Sequence, residues 1–124
     1  MCSSDLDGSL DTSFNRKGFS IRRGLSDGDE GSYGVVIQSD GKIVSAGYRK
    51  TPSGFLLTRY NSDGSLDPLF GVDGSGMTFS ALAAEGAEDG EGAQIHGIAL
   101  DANGKLVVVG PVAPFSYAVG RYLP

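Results

Sequence analysis

The stretch NSDGSLD at residues 61–67 is where side-chain oxygens come at the close spacing of a cation site. Asn61, Asp63 and Asp67 would offer the amide and carboxylate oxygens that Ca²⁺ prefers, although the spacing departs from the calcium-loop pattern D-x-[DN]-x-[DN]-G with its distal glutamate. The alternative is structural, because turn aspartates hydrogen-bond nearby backbone amides and Gly64 can supply a turn. We favour the structural role and keep calcium as the weaker hypothesis.

Two acidic loops offer further carboxylates, at residues 26–30 (SDGDE) and 85–92 (EGAEDGEG). Such clusters could bind Ca²⁺ or a basic ligand. A run of like charges is more often a solvated loop, and we expect that role here.

His96 is the only histidine and therefore the natural candidate for a general base near neutral pH. Its counterpart in the other half of the chain is Tyr33. The position thus favours an amphipathic ring, and we expect His96 to be structural.

An Arg-Tyr pair occurs twice, as Arg59-Tyr60 and Arg121-Tyr122. A ligand-binding arginine would more plausibly occur once. We therefore expect each arginine to pair with a neighbouring aspartate and each tyrosine to fill the gap between sheets.

Motifs for catalysis are missing from the sequence. It has no G-x-S-x-G nucleophile motif and no Cys/His set for zinc, and GSGM at 74–77 lacks the lysine of a phosphate loop. We predict no catalytic residue, no cofactor-binding residue and no metal ligand, and a protein that is not an enzyme.

Behind these residues lies an internal repeat, which is the first feature to seek in a fold assignment. The five letters DGSLD occur at 7–11 and 63–67, each followed by a phenylalanine, Phe14 or Phe70. Residues 34–47 match 97–110, and 55–60 match 117–122, in the same order. We divide the chain into a first repeat, 7–62, and a second, 63–124.

Each repeat contains four apolar stretches rich in β-branched and aromatic residues, which are typical of strands. The predicted strands are 19–23, 34–38, 42–48 and 55–61 in the first repeat, and 76–82, 95–101, 105–112 and 117–123 in the second. The links SDG (39–41) and ANG (102–104) predict a tight hairpin in each repeat.

Four antiparallel strands repeated about every 60 residues are typical of β-propeller blades. We predict an all-β fold of two four-stranded antiparallel blades, with Gly8 and Gly64 in turns and Leu10 and Leu66 in the core. A β-sandwich is the alternative, but it would not explain the repeated motifs. Because a propeller closes with typically 4–8 blades, we expect a fragment of a larger propeller.

The repeated blocks resemble the delta-60 repeat, a bacterial β-propeller-like tandem repeat. The blocks that carry the resemblance are DGSLDTSF (7–14), SDGKIVSAG (39–47), FLLTRYNSDGSLDPLFG (55–71), ANGKLVVVG (102–110) and YAVGRY (117–122). The second repeat departs from the pattern at Asn103 and Gly120, where the first has Asp40 and Thr58. The resemblance implies a long, secreted or surface-associated bacterial protein with no agreed enzymatic activity.

Charge and composition limit the partners. The net charge is −5, and residues 63–124 hold only 2 Lys or Arg against 8 Asp or Glu. The sequence has no basic stripe for nucleic acid and no apolar run of about 18 residues for membrane insertion. We expect neighbouring blades, and an unknown protein or carbohydrate ligand, as partners, and self-association of the isolated fragment at its open strand edges.

Residues 1–6, MCSSDL, are expected to be non-native, because one reading frame of a common sequencing adapter encodes C-S-S-D-L. Cys2 is the only cysteine, so no disulfide can form within the chain. The extracellular or cell-surface location follows from the family resemblance.

The function predicted from the sequence is a non-catalytic β-propeller repeat segment, a scaffold or binding surface within a larger, exported bacterial protein. A fragment of a propeller hydrolase or lyase, with its active site mostly in other blades, is the alternative. A calcium-stabilised adhesin-like module is a third hypothesis.

Overall fold

A computed structural model describes residues 7–22, 30–50, 52–82, 92–113 and 116–124. Residues 1–6, which the sequence predicts to be non-native, lie outside these ranges, and so do most residues of both acidic loops. The regular secondary structure within these ranges consists of β-strands, as the all-β prediction requires. The described ranges contain no helix of the length and apolarity needed to cross a membrane.

Sheet A contains four antiparallel strands in chain order. They are β1 (Glu30–Ile37), β2 (Ile43–Arg49), β3 (Gly54–Tyr60) and β4 (Met77–Ala81). The register of β1 against β2 shifts between Ser32 and Gly34, which marks a β-bulge at Tyr33.

Sheet B contains three antiparallel strands, β5 (Gly97–Leu100), β6 (Leu106–Val112) and β7 (Ser116–Tyr122). The prediction of two four-stranded blades is therefore wrong for the described residues, which form one sheet of four strands and one of three. The predicted strand 76–82 exists, but it pairs with β3 of sheet A and not with the second repeat. Residues 19–22 form no strand.

The hairpin turns are as predicted. Gly41 and Gly104 have φ values of +86° and +78°, a region that side chains disfavour. Their amides donate to the carbonyls of Gln38 and Asp101, at 2.9 and 3.0 Å. Both turns therefore close a two-strand unit whose geometry is set by local sequence.

The core lies between the two sheets, where the apolar faces of both are removed from water. Its fully buried members include Val44, Phe55 and Leu57 of sheet A and Leu106 and Val108 of sheet B. Tyr122 also packs against this core, and its hydroxyl donates to Ser80 Oγ of sheet A at 2.8 Å. The prediction that the repeated tyrosine fills the gap between sheets is confirmed for Tyr122.

The two sheets pack front to back. Phe55 and Leu57 of sheet A face sheet B, yet their counterparts in sheet B, Tyr117 and Val119, are exposed on its far side. Equivalent faces of the two sheets therefore point in the same direction, and the sheets are not related by a two-fold axis. Consecutive propeller blades are related in this way, so the arrangement is consistent with a propeller fragment.

Candidate functional site

The DGSLD turns are built by their aspartates. Asp63 Oδ1 accepts from the Ser65 amide at 3.0 Å, and Asp67 Oδ1 accepts from the Leu69 amide at 3.0 Å. Gly64 between them has φ +91°. Asp7 and Asp11 cap the amides of residues 9 and 13 in the same way, and Gly8 has φ +83°. The predicted structural role of these aspartates and glycines is confirmed.

Asp67 is the centre of a buried ionic cluster at the end of β3. Its Oδ2 accepts from Lys42 Nζ and from Arg59 Nε, each at 2.8 Å. The Asp67 residue is only 1% exposed. The hydrogen bond from Lys42, together with the Leu69 amide and the Arg59 charge, holds the pKa of this carboxyl below its ordinary value.

Backbone contacts tie the same cluster to the sheet. The Asp67 amide donates to the Arg59 carbonyl at 3.0 Å, and the Arg59 amide donates to the Gly76 carbonyl at 2.9 Å. The Arg59 guanidinium also lies over the Phe70 ring, 4.6 Å from its centroid. The predicted pairing of Arg59 with an aspartate is therefore confirmed, and the cluster fixes the connection that leads from β3 to β4.

Lys42 is the member of the cluster that sequence reasoning missed. It follows the hairpin glycine, 25 residues before Asp67, so local pattern gives no reason to join the two. The available signal was its repetition: Lys105 follows Gly104 in the second repeat as Lys42 follows Gly41.

The calcium hypothesis concerned Asn61, Asp63 and Asp67. Lys42 Nζ lies 3.2 Å from Asn61 Oδ1 and 2.8 Å from Asp67 Oδ2, so an ammonium already contacts two of the three residues. Among the described residues, no three His, Cys, Asp or Glu side chains come together as a metal-binding group. Calcium binding at these residues stays the weaker, untested hypothesis.

Leu10 and Leu66 do not plug the core. Their exposed fractions are 61% and 40%. The core position belongs instead to Phe70, which is 5% exposed. The prediction was wrong because Leu66 forms an isolated bridge with Tyr60 at the sheet edge and so lies away from the interface between sheets.

His96 lies beside Tyr33, its counterpart in the first repeat, with 5.5 Å between the ring centroids. Tyr33 also stacks on Tyr48, at 5.7 Å. The histidine Nε2 lies 3.3 Å from Gln94 Oε1. These contacts with neighbouring side chains fit the predicted structural role of His96 as an amphipathic ring.

A cleft of about 350 Å³ lies on the face of sheet A that points away from sheet B. Its lining includes Leu56, Met77 and Phe79 together with Arg49 and Asp73. The Arg49 guanidinium lies 5.4 Å from the centre of the Phe79 ring. Apolar walls with a few charged groups are typical of ligand clefts.

Residues 38–70 match a protein-family model described as a domain of unknown function (DUF5122), beta-propeller. This stretch contains β2, β3 and the three members of the ionic cluster. The chain therefore carries a β-propeller-like repeat. No curated protein and no solved structure matches the chain.

Proposed function

We propose that the chain is a non-catalytic segment of a delta-60-type β-propeller, acting as a scaffold or binding surface within a larger, exported bacterial protein. The observation that carries the proposal is that repeated polar residues form contacts within the fold. Lys42 and Arg59 both form ion pairs with Asp67 under the sheet edge. These contacts join β2, β3 and the DGSLD turn, which supports a structural use of the repeated residues.

A binding role is supported by the cleft on sheet A, since its lining differs between the two repeats. The counterpart of Arg49 in the second repeat is Val112. The counterpart of Phe79, in the DGSLD segment at 7–22, is Ile21. A surface whose lining is not conserved between the two repeats of this chain is where specificity can develop. The ligand proposed for it is a protein or a carbohydrate.

The test is the sequence of the natural gene on both sides of residues 7–124. Further copies of DGSLD, DGK and RYN at the same spacing, behind an export signal, are the expected result. A single set of blades carrying unrepeated His, Asp and Arg residues would overturn the proposal in favour of a propeller hydrolase or lyase.

A further inference from the structure

A groove of about 500 Å³ lies between the two hairpin turns, SDG (39–41) beside sheet A and ANG (102–104) beside sheet B. Its walls are the connections from β1 to β2 and from β5 to β6, so both repeats contribute to it. We call it the turn groove. Its lining includes Gln38, Asp40, Leu100, Asp101 and Asn103. The volume is within the range of small-molecule sites.

Corresponding positions of the two repeats supply different polar groups to the turn groove. Gln38 corresponds to Asp101, and Asp40 corresponds to Asn103. Each turn therefore contributes one carboxylate and one side-chain amide, but in opposite order along the chain. Carboxylates only accept hydrogen bonds, whereas an amide can also donate them, so the groove offers both functions to a ligand.

The amide of Gln38 has an unused donor. The residue is only 8% exposed, and its Oε1 lies 3.5 Å from Arg59 Nη1. Because a guanidinium can only donate, this contact fixes which end of the amide faces the arginine. Among the described residues, Gln38 Nε2 has no hydrogen-bond partner, and it is not closed off from solvent. An N–H donor of an otherwise buried side chain is thus open to the groove, and such a group favours a ligand atom that accepts.

Each of the two carboxylates keeps one oxygen for a ligand. Asp40 Oδ1 accepts from the Lys42 amide at 3.0 Å. Asp101 Oδ1 accepts from the amides of Asn103 and Lys105, at 2.8 and 2.9 Å. The hydrogen bond from the Lys105 amide is the main reason why the pKa of the Asp101 carboxyl lies below its ordinary value, so this group is ionised at neutral pH. Within the parts of the chain that the structure describes, neither Oδ2 atom accepts a hydrogen bond.

This combination of groups selects the chemistry of the ligand. The two carboxylates repel an anion. The N–H donor of Gln38 disfavours a metal cation, which would need the amide oxygen that instead faces Arg59. A hydroxyl can both donate and accept, so adjacent hydroxyls can bind a carboxylate and an amide N–H at the same time. Leu100 adds an apolar contact surface to the groove. A neutral sugar ring, with several hydroxyls and an apolar C–H face, has all of these properties.

We propose that the turn groove binds a neutral carbohydrate, whose hydroxyls donate to Asp40 and Asp101 and accept from Gln38 Nε2. The C–H face of the sugar ring packs on Leu100. Arg59 is a positioning residue, because it holds Gln38 Oε1 and leaves the N–H groups for the ligand. The proposal rests on the proposed function, since it names a ligand class for the binding scaffold, at a site separate from the cleft on sheet A.

The test is an NMR titration of the ¹⁵N-labelled chain with neutral tetrasaccharides of glucose, mannose and galactose. At least one of these sugars should shift the side-chain amide signals of Gln38 and Asn103 in a saturable way. The side-chain amide of Gln94, which precedes β5 and lies outside the groove lining, should not move. A tetrasaccharide of galacturonic acid is the comparison for charge and should not bind. If none of the neutral sugars shifts the Gln38 amide at concentrations up to about 10 mM, the proposal is overturned.

Gln38→Glu tests the donor directly. The variant keeps the size of the side chain and its contact with Arg59 but replaces the N–H donor by an oxygen, so we expect the dissociation constant for the sugar to rise about tenfold or more. Gln94→Glu is the matched control, since it makes the same change outside the groove and should leave the dissociation constant unchanged. Equal weakening by both variants would indicate an effect of net charge alone and would contradict the proposal.

Asp40→Asn gives a second test should Gln38→Glu fail to fold, because Asp40 is exposed and caps only an amide of its own turn. Loss of this charged acceptor should also weaken sugar binding about tenfold, whereas Asp7→Asn, at an exposed turn outside the groove, should not. Equal affinities of these two variants would count against the site. Further repeats in the natural gene would leave the proposed function standing even if no sugar bound, and their absence would overturn it whatever the titration shows.

Discussion

Asp67 and Arg59 form an ion pair 2.8 Å long between Oδ2 and Nε at the point where the chain leaves β3 and turns back towards β4. Their side chains are 2% and 10% exposed, so both charges are largely removed from water. Such burial is tolerated only where the charges are paired and hydrogen-bonded. The pair therefore makes the outer edge of sheet A dependent on one carboxylate.

Asp67→Asn is expected to lower the free energy of unfolding by about 3 kcal/mol, because it leaves the buried Arg59 guanidinium and the partly exposed Lys42 ammonium beside a neutral group. Urea denaturation followed by circular dichroism measures the change. Asp63→Asn is the control, since it alters an exposed turn aspartate and should change the free energy of unfolding far less than Asp67→Asn does. Similar losses in the two variants would show that the cluster has no special role.

The same carboxyl predicts how stability depends on pH. Its pKa in the folded protein lies below 3.8, the ordinary value for an aspartate, chiefly because Lys42 donates a hydrogen bond to the ionised form. The unfolded chain therefore takes up the proton first as pH falls. The stabilisation is complete above 3.8 and is lost as pH falls from there through the folded pKa.

The measurement is the urea midpoint as a function of pH from about 5 down to about 2, for the wild type and for Asp67→Asn. The variant should show a shallower fall over the acid range. Exposed turn aspartates such as Asp63 also have lowered pKa values, owing to hydrogen bonds from the serine two residues on. Asp63→Asn therefore serves as the comparison, and a pH profile unchanged in Asp67→Asn would contradict this prediction.

The strands and their hairpins could be predicted from the sequence because local pattern determines them. Seven of the eight predicted stretches overlap β1 to β7, and Gly41 and Gly104 close the two central hairpins. The all-β class followed from the same patterns. The structural use of the DGSLD aspartates was also predictable, since each caps an amide two residues away.

The partners of distant elements could not be predicted in this way. Alternation identifies 77–81 as a strand, but nothing in it says that the strand pairs with β3 before it and not with β5 after it. The contact of Lys42 with Asp67 and the exposure of Leu66 are likewise set by how the chain returns after Tyr60. The repeat indicated which positions matter but not which of them meet.

Substitution of Gly110 tests how closely the backbone at Gln94 packs against sheet B. A Cβ at this position would lie 1.8 Å from the Gln94 carbonyl oxygen, which belongs to the backbone and cannot move aside alone. We expect Gly110→Ala to cost about 3 kcal/mol or more, as overpacking against fixed atoms does. Thermal and urea denaturation both measure it.

Gly104→Ala is the matched control, because its Cβ would meet open space and only the φ of +78° is unfavourable. That backbone strain alone costs about 1–2 kcal/mol. Gly47 repeats the crowding of Gly110, with 1.7 Å to the Gly31 carbonyl oxygen, so its alanine variant should resemble Gly110→Ala. If Gly110→Ala were no worse than Gly104→Ala, the close approach of the two backbones would be wrong.

Calcium should not raise the melting temperature of this chain. A ligand that binds only the folded state stabilises it by mass action, but a calcium ion at Asn61 and Asp67 would have to displace the Lys42 ammonium from both. The measurement is thermal unfolding at millimolar Ca²⁺, compared with Mg²⁺ and with NaCl at the same ionic strength. A rise specific to Ca²⁺ that disappears in Asp63→Asn would contradict this prediction and would support the calcium-stabilised adhesin hypothesis for NSDGSLD.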